Sequence, residues 1–303
     1  MAPLYRPIPA LSWFPMAPHA ALALARHARV WGILSLLNAI AWPVNAIAWP
    51  AASALTQVRP PPGTGCRLEF LGTGKVSAIL DGRSFLLDDG REIRLPGIEV
   101  PLPPHPGEAG ARAQAGGAAR AALEAILAGE SVELRHNRPA ADRYGRILAH
   151  AYVVRDGSSA AHEMLDRGFA RVSAQADCAA DLLAREQSAR NAKLGLWGQA
   201  YYAVIAAENL GALAAERGHF TVVEGRVLSV RESAGTIYMN FGRRWSEALT
   251  VTILKRNERN FVLAGLDPHR LANLRLRVRG FIEERNGPRI EAVHPGQIEI
   301  AER

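Results

Sequence analysis

The stretch 74–102, GKVSAILDGRSFLLDDGREIRLPGIEVPL, constrains the fold of this 303-residue chain most strongly. Apolar residues alternate over 76–80 and recur over 85–87, and an Asp-Gly turn former follows each run at 81–82 and at 89–90. Apolar runs separated by such turns are typical of a meander of antiparallel strands. The stretch therefore predicts a β-rich domain.

Two further motifs follow in order, DRYGR at 142–146 and AREQSARNAKLGLWG at 184–198. Together with DGRS at 81–84 and RLPGIEVPL at 94–102, they resemble the staphylococcal nuclease (thermonuclease-like) family over about 67–198. The resemblance implies a bacterial protein with a mainly β, α+β domain. Its expected fold is an OB-fold, five-stranded barrel with appended helices.

A second β-rich region follows residue 218. Strands are predicted at 219–230, 235–241, 248–255, 274–284 and 289–300, with a helix near 257–266. This order suits a second small OB-like barrel. Tyr238–Gly242 and Asn286–Pro288 resemble the C-terminal domain that accompanies some bacterial thermonuclease-like domains.

Helices are predicted at 118–128, 159–167 and 181–194, while the Pro- and Gly-rich stretch 101–117 predicts no regular element. The predicted organisation is a basic N-terminal region at 1–29, a signal peptide or membrane anchor at 30–58, a linker at 59–66, a staphylococcal-nuclease-like domain at 67–199, a connector at 200–218 and an OB-like domain at 219–303.

The segment Val30–Val58 carries no charged residue and exceeds the roughly 20 residues that cross a bilayer. Small residues near its end favour a cleaved signal peptide, whereas Trp42 and Trp49 suit an uncleaved anchor at the membrane interface. A cytosolic protein with a disordered apolar leader is the third reading. The first two place the folded domains in the cell envelope, secreted or anchored facing the periplasm.

The net charge of +7 is concentrated at the N-terminus, because residues 1–65 carry four Arg and no acidic residue. The high pI therefore says little about polyanion binding by the folded domains. Cys66 and Cys178 are the two cysteines, and they either pair in an oxidising compartment or remain separate thiols.

The resemblance also implies site residues. The family holds calcium with two carboxylates and a backbone carbonyl, places a Glu beside the attacking water and binds the phosphate with two Arg. Arg94 and Arg146 match the two phosphate-contacting positions. Glu99 stands where a metal-binding Asp is usual, and the carbonyl of Val100 could serve as a ligand.

Two departures put hydrolysis in doubt. Arg83 replaces a metal-ligating Asp, and Leu102 replaces the Glu beside the attacking water. The first change shifts the local charge by two units, which repels a divalent cation, and Leu102 cannot orient water. A metal, if bound, would rest on Asp81, Glu99 and Val100, but Asp81 is better suited to capping its own turn.

Two interpretations of Arg83 remain open. In one, Arg83 converges with Arg94 and Arg146 and holds nucleic acid or another phosphate-bearing ligand. In the other, Arg83 forms an internal ion pair with Glu99 or Asp81 and no ligand site remains.

The expected function is therefore binding of a polyanion by a possible pseudoenzyme, with no cofactor. One alternative is an active nuclease that uses calcium, with Asp142 or Glu108 completing a rearranged carboxylate set. Another is a protein-binding scaffold in the envelope. Salt-sensitive binding of oligonucleotides would distinguish the first reading from the last.

Two features bear on base contacts. Ser173–Ala176 stands where the family supplies stacking Tyr residues, so stacking there is not expected. In the second region, basic and aromatic residues interleave at 240–245, and Arg275, Arg277 and Arg279 alternate. They suit either a single-stranded nucleic acid or a structural role, with the aromatics as core and the arginines on a solvated face paired with Glu283 and Glu284.

Overall fold

The structure, a computed structural model, describes residues 67–103, 109–137, 141–176, 178–244 and 247–302. The chain divides into two units between Val58 and Arg59, and every described residue lies in the second. The predicted N-terminal region, signal peptide or anchor, and linker lie outside the described residues. Among the helices that are described, none is long and apolar enough to span a membrane.

The first region alternates short strands with three helices. Its elements are β1 Glu69–Ile79, β2 Ser84–Leu87, β3 Glu92–Arg94, β4 Ile98–Glu99, α1 Ala111–Leu127, β5 Ser131–His136, β6 Ile147–Leu148, β7 His150–Val153, α2 Ala160–Asp166, β8 Arg171–Val172 and α3 Ala179–Asn191.

The long strand β1 organises the main sheet, whose order is β6-β3-β2-β1-β5-β7. Its first part pairs with β5, and its last part pairs with β2, with register irregularities in both ladders. Buried side chains of these strands and of α1 form one core, which includes the fully buried Phe85, Ile93, Leu123 and Leu134. The predicted meander is confirmed, but the predicted alternation is wrong at Ala78 and Leu80, whose side chains are exposed. The pairing of β1 with β2 shifts register between Val76 and Ala78, so Ile79 faces the core together with Val76.

Helix α1 corrects one expectation. It begins at Ala111, inside the stretch that predicts no regular element. The reason is a contact distant in sequence: a Cβ on Gly116 would lie 1.9 Å from the carbonyl oxygen of Leu102. Glycine thus lets the helix backbone approach the loop after β4, and packing outweighs the low helix propensity of glycine.

The second region starts with a short strand and a short helix in the predicted connector. Its elements are β9 Ile205–Ala206, α4 Leu210–Ala215, β10 Phe220–Arg226, β11 Ser229–Ser233, β12 Thr236–Asn240, β13 Thr250–Leu254, α5 Lys255–Leu263, β14 Arg275–Phe281, β15 Glu283–Glu284, β16 Pro288–Glu291 and β17 Ile298–Glu302.

These strands form two sheets, whose strand orders are β17-β14-β10-β9 and β11-β12-β13-β16-β15. The predicted strand 219–230 is two strands, and 289–300 is interrupted by a 3-10 turn at Pro295–Gln297. Phe241 is buried in the core of this region, and Trp245 lies outside the described residues. The mixed α and β architecture is confirmed, while the two closed barrels stay predictions.

The two regions pack on each other through apolar and ionic contacts. A separate buried cluster joins residues of both, namely Ala115, Ala189, Leu196, Trp197, Tyr202 and Val222. Beside it, the guanidinium of Arg279 donates to Glu186 Oε2 at 2.6 Å and also bonds Glu299. The side chains of Arg279 and Glu186 are fully buried.

The solvated arginine face predicted on β14 is therefore wrong. Arg279 points into the packing between the regions, and Arg275 and Arg277 bond Glu224 on the neighbouring β10 at 2.7 and 2.6 Å. The expected partners, Glu283 and Glu284, belong to the next strand, and the sequence gives no sign of a carboxylate across the ladder.

Cys178 is the N-cap residue that precedes α3, and it is disulfide-bonded. Cys66 lies outside the described residues. The reading in which Cys178 is a free thiol is thus excluded by the structure.

Candidate functional site

The turn between β1 and β2 is built by Asp81. Its Oδ1 accepts a hydrogen bond from the backbone amide of Arg83 at 2.7 Å, and the amides of Leu80 and Asp81 donate to the carbonyl of Ser84. Asp side chains cap turns in this way. The expected structural role of Asp81 matches this geometry, and the turn fixes the direction of the Arg83 side chain.

Arg83 and Glu99 form a two-armed ion pair. Nη1 and Nη2 of Arg83 lie 2.6 Å from Oε2 and Oε1 of Glu99, and Nη1 also donates to the carbonyl of Ile98 at 2.8 Å. Their side chains are 13% and 15% exposed, so the pair is largely removed from water. Burial raises the pKa of Glu99, and the charge of Arg83 opposes that rise.

Arg94 lies on β3, directly opposite Ser84 on β2. Its Nη1 donates to Ser84 Oγ at 3.0 Å and lies 3.6 Å from Asp81 Oδ2. Burial lowers the pKa of Arg94, and the charges of Arg83 and Arg146 lower it further. The three arginines predicted to converge are thus close enough for their charges to interact.

Arg146 is held by its own turn. Asp142 accepts from the backbone amides of Tyr144 and Arg146 and from Arg146 Nε, the last at 2.6 Å. The bond to Asp142 raises the pKa of Arg146. Burial favours the neutral form of Asp142, but these bonds outweigh it and its pKa is lowered. The exposed ring of Tyr144 lies 5.1 Å from the Arg146 guanidinium.

A cleft of about 860 Å³ lies between the two regions, and several of these residues line it. Arg83, Arg94, Glu99 and Asp142 line one wall, together with Ser173–Gln175. The second region supplies other lining residues, which include Phe281, Glu283, Glu291 and His294. Residues of both regions therefore line the cleft.

The sequence did not predict this second wall, and sequence reasoning assigned no ligand role to the buried His136 and His150, which line the cleft. The two histidines lie on adjacent strands, β5 and β7. A polar residue inside an apolar strand is a signal that could have drawn attention to them. The second wall has no comparable signal, because it depends on contacts between residues far apart in the chain.

The donors present do not fit a calcium ion. The guanidinium of Arg83 already occupies both oxygens of Glu99, and Asp81 is engaged by the Arg83 amide and faces Arg94. A divalent cation prefers oxygen ligands and is repelled by two adjacent guanidinium groups. Leu102 is 63% exposed and offers no ligand oxygen in its side chain.

Other carboxylates do not complete a metal site within the described ranges. Asp142 is engaged by Arg146, and no group of three or more His, Cys, Asp or Glu side chains there could hold a metal ion. Glu108, the other candidate ligand, lies outside those ranges. Val100 is buried.

The first region is an α+β domain that carries arginine and carboxylate side chains at the edge of a β meander. Residues 92–199, which make up most of this region, match the family model described as staphylococcal nuclease homologue. The chain therefore contains a staphylococcal nuclease-like domain, which suggests a nuclease-type or nucleic-acid-binding function. The comparison with curated proteins found no match.

Proposed function

We propose that this protein binds nucleic acid or another phosphate-bearing polyanion in the cleft between its two regions, without calcium-dependent hydrolysis. The observation that carries the proposal is the state of Arg94. Its guanidinium lines the cleft, bonds a neutral hydroxyl, and meets its nearest carboxylate, Asp81, only at 3.6 Å.

A bound phosphate would offset the repulsion that Arg94 experiences from the neighbouring arginines. The charges of Arg83 and Arg146 already act on Arg94 unfavourably, and an anion in the cleft would offset them. Guanidinium groups bind phosphate oxygens with two parallel hydrogen bonds, which suits a side chain whose contact with the Asp81 carboxylate is as long as 3.6 Å. Arg94 is therefore the main phosphate contact, with Arg146 beside it.

Arg83 has a different role in this proposal. It stands in place of a metal ligand and neutralises Glu99, so the cleft accepts a phosphate without a cation. Leu102 leaves the attacking water without a base. Binding then persists and hydrolysis does not.

We further propose that the protein works in the cell envelope, either secreted or anchored by residues 30–58 in the membrane. The disulfide bond of Cys178 supports this location, since disulfides persist in oxidising compartments.

Fluorescence anisotropy with a labelled single-stranded DNA tests the proposal on the full chain. We expect affinity to fall steeply between 50 and 200 mM salt, because phosphate contacts release counterions. Arg94→Ala should weaken binding about tenfold or more. The matched control is Arg155→Ala, whose side chain is 68% exposed and bonds Glu130 outside the cleft. Salt-insensitive binding, or equal effects of the two variants, would favour the scaffold alternative.

A further inference from the structure

A second cavity, of about 330 Å³, also lies between the two regions. It shares Arg83, Glu99 and Phe281 with the larger cleft. Its own lining includes Arg112 from α1, Arg171 from β8 and Tyr202 from the turn before β9. We call it the small cavity.

One buried guanidinium group at the small cavity, that of Arg171, has no carboxylate partner among the described residues. Arg171 is 5% exposed, and its two terminal nitrogens donate to the backbone carbonyls of Phe220 and Tyr202 at 2.9 and 2.7 Å. The rings of Tyr202 and Trp197 flank the guanidinium. Within the described part of the chain it makes no ion pair, although buried charges are ordinarily paired.

Other polar atoms of the same residues and their neighbours also lack partners. Five fully buried atoms on residues that line the small cavity find no hydrogen-bond partner among the described residues: Arg83 Nε, Arg112 Nη1, Arg171 Nε, Tyr202 Oη and His219 Nδ1. Four of these are nitrogen atoms of basic side chains, and the fifth is a hydroxyl. Buried polar groups in folded proteins are nearly always hydrogen-bonded, so such a group of exceptions requires an explanation.

The balance of charge points to an anion. Three guanidinium groups line the cavity, against the carboxylate of Glu99 on Arg83 and that of Glu216, which lies 3.2 Å from Arg112. The positive charge of Arg171 is left over. A ligand with several acceptor oxygens would supply the missing charge, and lining side chains that turn toward it would gain the missing acceptors.

The remaining lining restricts the ligand further. Phe220 and Phe281 stack edge to face at 5.5 Å, and Tyr201 lies beside Arg112. A volume of about 330 Å³ is near the lower end of the range for small-molecule sites. We propose that the small cavity is a binding site for a small phosphate monoester, distinct from the polyanion contacts at Arg94. This inference does not depend on the proposed function.

Isothermal titration calorimetry on the full chain tests it with three probes: inorganic phosphate, thymidine 5′-monophosphate and uncharged thymidine. We expect saturable binding of the monophosphate and of phosphate, and none of thymidine. If phosphate alone binds, the small cavity is a free-phosphate site and the proposed monoester is overturned. If the monophosphate binds more tightly, the aromatic rings contribute, as the proposal requires. Binding of neither anion would also overturn the proposal and leave the cavity to water.

Variants separate the two sites. Arg112→Gln should weaken monophosphate binding about tenfold, and Tyr202→Phe, which removes only a hydroxyl, should weaken it several-fold. The control Arg217→Gln, at an arginine 59% exposed and paired with Glu284, should leave it unchanged. Arg94→Ala should weaken DNA binding and spare monophosphate binding. Monophosphate binding that is lost with Arg94 and retained without Arg112 would assign the anion to the cleft and contradict the proposal.

Discussion

The guanidinium of Arg83 and the carboxylate of Glu99 neutralise each other at the residue position where a nuclease of this family would hold its cation. Both side chains are more than four-fifths buried, and their two bonds are short and parallel. Breaking such a pair leaves an uncompensated charge in a poorly solvated place. A metal ion would have to displace the Arg83 guanidinium before it could bind Glu99.

Two glutamates with opposite pKa shifts give a prediction for pH dependence. Burial raises the pKa of Glu99, so its contribution to stability is greatest below the ordinary value and is lost as pH rises. Burial also acts on Glu224, but the bonds from Arg275 and Arg277 outweigh it and lower its pKa. The contribution of Glu224 is therefore present above the ordinary value of 4.5 and is lost as pH falls.

We expect Glu224→Gln to flatten the fall in unfolding free energy on acidification and Glu99→Gln to steepen it. Urea unfolding of both variants and of the natural chain between pH about 3.5 and 6 measures the slopes. Slopes that change in the same direction in the two variants would contradict the assigned shifts.

Part of the site could be predicted at this scale. The convergence of Arg83, Arg94 and Arg146 follows from motifs that local turns and adjacent strands bring together. The choice between a phosphate site and an ion pair at Arg83 could not be made from sequence, because it depends on a hydrogen-bond geometry between residues 83 and 99. The structure shows the ion pair, and it leaves Arg94 in the cleft.

At the scale of elements, helix α1 shows how one backbone contact sets the position of the loop after β4. Gly116 admits the carbonyl of Leu102, whereas a Cβ on Gly117, its neighbour in the same helix, would meet open space. The pair gives an internal comparison, since the two glycines share a helix and differ only in what lies beside them.

Gly116→Ala should destabilise the protein by about 2–3 kcal/mol or more, because the methyl group overlaps a backbone oxygen. Gly117→Ala should instead stabilise it by about 0.5–1 kcal/mol through helix propensity. Thermal or urea unfolding distinguishes them. An equal response of the two variants would mean that α1 does not pack on the loop as described.

The elements themselves were predictable where the pattern is local. Helices α2 and α3 lie within two or three residues of their predicted bounds, since their sequences carry helical residues and clear ends. The start of α1 and the split of β10 from β11 were not predictable. The start of α1 depends on the contact with Leu102. The split depends on strand pairing, because β10 pairs with β14 in one sheet and β11 pairs with β12 in the other.

At the scale of the whole molecule, the buried pair of Arg279 and Glu186 joins the nuclease-like domain to the region that follows. Glu186 also accepts from the amide of Val172 at 2.5 Å, next to Arg171 of the small cavity. Glu186 therefore contacts both Arg279, in the region that forms the second wall of the cleft, and Val172, in β8 of the nuclease-like domain. Contacts that join residues 186 and 279 cannot be foreseen from local patterns, which explains why the composite cleft was missed.

Arg279→Met should lower the unfolding free energy by about 3 kcal/mol or more, because the carboxylate of Glu186 would lose its buried partner. Arg285→Met is the matched control. Arg285 is 69% exposed and 3.8 Å from Glu283, so its loss should cost at most about 0.5 kcal/mol. Urea unfolding measures both, and equal losses would show that the pair does not hold the two regions together.

The central claim is that the protein binds phosphate-bearing polymers without cutting them. It is tested most directly by hydrolysis of single-stranded DNA by the full chain, with calcium and with a chelator, beside the double variant Arg83→Asp, Leu102→Glu. The account predicts no cleavage by the natural chain in either condition and calcium-dependent cleavage by the double variant. Calcium-dependent cleavage by the natural chain would contradict it and establish an active nuclease with a different carboxylate set.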